Sequence, residues 1–99
     1  MEKPNELIRL NNNDTGTFLV FTKSGSQYLI NLLDNKRTLK RTNPKYFLRR
    51  DGEELIIMDF KIEVGKSARF ILEPLGLGNS TTRITTIVEK IVMITDDVY

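Results

Sequence analysis

Neither cysteine nor histidine occurs in these 99 residues, and tryptophan is missing as well. Without cysteine there are no disulfides, no thiolate nucleophile and no thiolate metal ligands. Without histidine there is no Ser-His or Cys-His pair, and no side chain whose ordinary pKa lies near neutrality. General acid or base work would fall to Asp, Glu, Lys or Tyr with strongly shifted pKa values. The expectation is a protein that is not an enzyme and that holds neither metal nor cofactor. Long apolar runs are lacking too; the densest is Leu55-Ile56-Ile57-Met58, far short of the roughly 20 residues of a membrane-spanning helix. The chain opens Met1-Glu2-Lys3-Pro4-Asn5-Glu6, polar and mixed in charge, unlike a signal peptide. A cytoplasmic location with no membrane partner is the expectation.

What is present is strand material. Apolar content of 39% and charged content of 28% suit a single folded domain and are too apolar for a disordered chain. Thr17 to Lys23 and Gln27 to Leu33 are rich in β-branched and aromatic residues, and Ser24-Gly25-Ser26 joins them as a hairpin. In the second strand Tyr28, Ile30 and Leu32 share one face. Further strands are expected over Arg37 to Thr42, Leu55 to Val64 and Ala68 to Glu73. They are punctuated by Asp34-Asn35, Asn43-Pro44, Asp51-Gly52, Gly65-Lys66 and the Pro74–Asn79 loop. In Thr82 to Ile94, Ile84, Ile87, Val88, Ile91 and Ile94 fit helical spacing. Nine of those thirteen residues are Thr, Ile or Val, which lose rotamer freedom in a helix, so a long bulged strand is expected. The fold class is therefore all-β, a small barrel or sandwich of six to seven short, mostly antiparallel strands. Residues 1–16 read as a weakly structured lead-in, with a short strand at Leu7–Leu10. Residues 17–94 form the β core and 95–99 a tail.

Motifs that would carry chemistry fail on spacing. Asn11 to Gly16 begins like a calcium loop, but Thr15 takes a ligand position and Thr22 stands where the closing Glu is needed. Val64-Gly65-Lys66-Ser67-Ala68 has Phe60 where a phosphate-binding loop needs its first glycine. Glu53-Glu54 and Asp96-Asp97 are sequence neighbours that point apart in a strand, which makes poor catalytic dyads.

Charge is the uneven feature. Residues 36–50 hold Lys36, Arg37, Lys40, Arg41, Lys45, Arg49 and Arg50 and no acid, leaving eight basic against thirteen acidic residues elsewhere. With Tyr46 and Phe47 as stacking platforms, the segment has the ingredients of a sequence-independent nucleic-acid surface. In a strand, Lys36, Thr38, Lys40 and Thr42 share one face, and Arg37, Leu39 and Arg41 share the other. Charge on both faces suits an edge strand kept from aggregating. That bland reading favours an interaction or accessory module acting through a protein partner or itself, with nucleic-acid binding as the alternative.

Ser24-Gly25-Ser26-Gln27-Tyr28-Leu29-Ile30, Leu48-Arg49-Arg50-Asp51-Gly52-Glu53, Ile62-Glu63-Val64-Gly65 and Arg83-Ile84-Thr85-Thr86 fall in an order that resembles small uncharacterised all-β proteins of Gram-positive bacteria or their mobile elements. The resemblance spans about residues 17 to 91. It implies a compact β domain and carries over no functional residue. It also implies a turn at Asp51-Gly52 in which Asp51 and Glu53 neutralise Arg49 or Arg50.

Overall fold

A computed structural model describes residues 6–33, 36–42, 54–74 and 78–94. Eight strands form: β1 (Glu6–Leu7), β2 (Arg9–Leu10), β3 (Gly16–Thr22), β4 (Gln27–Leu33), β5 (Lys36–Arg41), β6 (Leu55–Glu63), β7 (Ser67–Leu72) and β8 (Thr81–Ile94). No helix occurs among the described residues, so none is long and apolar enough to cross a membrane.

Strands β3 to β8 run up and down in chain order, each antiparallel to the next, and β8 returns to pair with β3. The ladders thus join six strands in a ring, within the all-β barrel or sandwich expected, and the two short strands β1 and β2 bring the described total to eight. Local chemistry sets the hairpins. Between β3 and β4 the Gly25 N–H donates to the Thr22 carbonyl at 2.9 Å and the Thr22 N–H to the Ser26 carbonyl at 3.0 Å. Gly25 sits at φ 92°, the left-handed residue that closes a three-residue hairpin loop. Between β6 and β7, Gly65 at φ 93° supplies the same freedom, and its N–H docks on the Val88 carbonyl at 2.8 Å.

The interior is filled by alternate residues of each strand. Phe18, Val20, Tyr28, Ile30, Leu32, Leu39, Leu55, Ile57, Phe60, Ile62, Phe70, Leu72, Val88 and Ile91 are all buried. The face predicted for β4 (Tyr28, Ile30, Leu32) is the buried one. A barrel of this size has room for its own side chains and little else.

β8 turns out to be one long strand with two bulges. Arg69 pairs with Ile84 while Ser67 pairs with Ile87, and Phe21 pairs with Lys90 while Thr22 pairs with Val88. Each shift adds one residue on β8 and resets its inside–outside alternation. Thr85, Val88 and Ile91 are consequently buried at intervals of three. That interval accounts for Val88 and Ile91 in the helix-like pattern, whereas Ile84 and Ile87, which complete it, face outward. The bulges also bend β8, so its first half pairs with β7 and its second half with β3.

The short strand expected at Leu7–Leu10 forms as two pieces, β1 and β2, on either side of Ile8. β1 pairs with Ile91–Val92 of β8, and β2 pairs with Ile62–Glu63 of β6. Leu10 is buried in the core. The Asn11–Gly16 stretch is a turn, with the Asn11 N–H donating to Asp14 Oδ2 at 2.7 Å and the Asp14 N–H to the Asn11 carbonyl at 3.0 Å.

Candidate functional site

β5 pairs with β4 over its full length and with β6 at Thr38 and Leu39. It is therefore not the edge strand expected from its two charged faces. Charge on both faces does not keep β5 out of the middle of the sheet, because each inward arginine finds a partner through Nη2, although the Nε of each is buried without one. Arg41 shares the inner face with Tyr28 and Val20, is only 7% exposed, and donates from Nη2 to Ser26 Oγ at 2.9 Å. Its hydroxyl acceptor belongs to a cluster in which Ser24 Oγ lies within 3.5 Å of the hydroxyls of Thr22, Ser26 and Thr86. Arg37, half-buried, donates from Nη2 to Asn12 Oδ1 at 2.9 Å, and its guanidinium lies 5.2 Å from the centre of the Phe60 ring. There it lies over the stretch of β6 between the short β5 ladder and the end of β2. The long aliphatic stems pack among apolar neighbours and the heads find polar or aromatic partners.

On the outer face, Lys36 Nζ lies 3.8 Å from Glu54 Oε1, and Thr38 Oγ1 donates to Glu54 Oε2 at 3.1 Å. Lys40 is exposed. The nucleic-acid candidates Lys36, Arg37, Lys40 and Arg41 are thus split, two outward and two inward, and one of the outward pair faces a carboxylate. Lys45, Tyr46, Phe47, Arg49 and Arg50, with the Asn43-Pro44 and Asp51-Gly52 turns, lie outside the described residues.

A different surface carries the feature that the sequence did not reveal. On the outside of β6, β7 and the first half of β8, Ile84 is 67% exposed, Met58 56%, Ile56 49% and Ile87 43%. Half-buried Ile71 lies between them, paired with Asp59 on one side and Thr82 on the other. Bulges again explain why. β6 carries an extra residue between Ile57 and Asp59, which turns Met58 outward beside Ile56. The β8 bulge opposite Ser67–Arg69 turns both Ile84 and Ile87 outward. Strict alternation read through these points assigns such residues to the core. The one signal in the sequence is that Leu55-Ile56-Ile57-Met58 is apolar at outward as well as inward positions.

The same face is charged along its length. Lys61 stands directly opposite Arg69, a like-charge pair that costs stability when nothing offsets it. Asp59 lies in the next outward row, opposite Ile71, and Glu73 lies at the other end beside Ile56. Each is held by backbone: the Phe60 N–H donates to Asp59 Oδ1 at 2.9 Å, and the Ile56 N–H to Glu73 Oε1 at 3.0 Å. Among the described residues, Lys61, Arg69, Asp59 and Glu73 form no ion pair with one another within 4 Å. An open groove of about 650 Å³ follows β6 here, with Arg9, Asp59, Lys61, Glu63, Arg69 and Ile71 along its walls.

No protein-family model matches the chain, and no curated protein or solved structure matches it either.

Proposed function

We propose that this chain is a non-enzymatic cytoplasmic interaction module that binds a protein partner, a second copy included, through the outer face of β6, β7 and the first half of β8. The observation that carries this reading is the placement of Ile56, Met58, Ile84 and Ile87 in solvent on one sheet face. Single exposed apolar residues are ordinary, but four on one sheet face, interleaved with charge on either side of half-buried Ile71, are the composition of a contact surface. The filled interior supports the same reading by sending recognition to the outside. A sequence without cysteine or histidine supports the non-enzymatic part, and one without cysteine suits a reducing compartment. The nucleic-acid alternative is less well supported, because Arg37 and Arg41 serve the fold.

The test is site-specific photo-crosslinking in cells expressing the protein, with the photoreactive residue at position 84 or at position 40. A discrete adduct from position 84 and none from position 40 is expected. Adducts from position 40 alone, or from neither position, would remove the apolar face as the binding surface.

A further inference from the structure

We infer that the groove along β6 is a binding site for a multivalent phosphate-type oxyanion, held by Arg9, Lys61 and Arg69. The inference goes beyond the interaction reading above and does not depend on what meets the apolar residues.

The strand register brings the three cations together. Asp59, Lys61 and Glu63 point outward from β6, while Phe60 and Ile62 between them are buried. Arg69 stands directly opposite Lys61 on β7. β2 flanks β6 on its other side, where Arg9 is opposite Glu63 and therefore diagonal to Lys61. Directly opposed residues in such a sheet stand about 5 Å apart and diagonal ones about 7–8 Å, within reach of side chains as long as these. Arg9, Lys61 and Arg69 are all exposed and line the same groove of about 650 Å³. Among the described residues, none of the three side chains forms an ion pair or a hydrogen bond.

Two carboxylates share the groove, and each is engaged locally. Asp59 Oδ1 accepts from the Phe60 N–H at 2.9 Å, and Glu63 Oε1 lies 3.6 Å from Lys66 Nζ. What remains without a counter-charge is cationic. Neutral donors stand on the same wall: Asn12 Oδ1 accepts from Arg37, which leaves its Nδ2 to donate elsewhere, and Asn11 is its neighbour. A tetrahedral oxyanion offers three or more acceptor oxygens, so it takes charge-assisted bonds from β2, β6 and β7 at once. A flat carboxylate, with two oxygens, meets fewer of them. The bound anion also supplies the charge that the facing Lys61–Arg69 pair lacks.

The test is a titration of the isotope-labelled protein with pyrophosphate and with phenyl phosphate, against sodium chloride at matched ionic strength, followed by amide and arginine Nε–H shifts. Saturating shifts at Arg9, Asn11, Lys61 and Arg69 are expected with pyrophosphate and not with chloride. Comparable binding of phenyl phosphate would assign the site to a terminal phosphate group, and binding of pyrophosphate alone to a free polyanion. Arg69→Gln and Lys61→Gln are each expected to weaken binding by about tenfold or more, whereas Lys40→Gln, an exposed cation on β5, leaves it unchanged. Both groove variants relieve the facing repulsion, so each is expected to melt no lower than the wild type without ligand, and the loss is read in folded protein. Shifts that grow without saturation in every salt alike, or a Lys40→Gln loss equal to that of Arg69→Gln, overturn the inference.

Discussion

Phe70→Ala is expected to lower the free energy of unfolding by about 3–5 kcal/mol, a large share of the roughly 5–15 kcal/mol typical of a domain. Phe70 is the largest of the fully buried side chains and sits at the middle of β7. Its ring lies 5.9 Å from that of Tyr28, tilted by 40°, across the inside of the barrel. Its cross-strand partners are Phe60 and Arg83. Truncation loses apolar burial and leaves a void that β-strands tied into a ring close poorly. Urea unfolding should show a lower midpoint with an unchanged slope. A loss below about 1 kcal/mol would mean that β7 does not face inward at this position.

The second large effect separates two adjacent cations. Arg41→Glu is expected to cost about 3 kcal/mol or more, because it removes the donor to Ser26 and leaves a carboxylate buried beside Tyr28 and Val20 without a cation. Lys40→Glu, one residue away on the exposed face, is expected to change stability by no more than about 0.5 kcal/mol. Equal and small effects at both positions would return Arg41 to the surface and restore the nucleic-acid reading of the segment. The contrast also governs interpretation: loss of binding in a variant that reverses both charges would report unfolding before it reported a lost contact.

Much of this architecture is legible in the sequence. The β4 face follows from plain alternation, since Tyr28, Ile30 and Leu32 are inward as period two requires. Turns at Gly25 and Gly65 are legible because each position needs a left-handed backbone. β8 was recoverable only by weighing β-branched content against a helical spacing that its bulges produce. The closure of β8 on β3, the docking of β1 and β2, and the interior place of β5 are long-range pairings that no local pattern encodes.

The candidate site was hidden for the same physical reason. Met58, Ile84 and Ile87 are outward because a bulge lies beside each, and a bulge costs the sequence no distinctive residue type. The basic segment misled in the opposite direction. Linear charge density treats seven cations as one patch, whereas β5 deals Lys36, Arg37, Lys40 and Arg41 alternately to two faces. Arg37 and Arg41 then became part of the fold's own polar accounting, held by Asn12, Phe60 and Ser26.

The central claim is that this chain meets its partner through the outer face of β6, β7 and β8 and not through the basic strand. Amide chemical shifts followed over a dilution series of the isotope-labelled protein test it most directly. The account predicts concentration-dependent shifts that cluster at Ile56, Met58, Ile71, Ile84 and Ile87, with Lys36 and Lys40 unmoved. Shifts centred on Lys36 and Lys40 would contradict it.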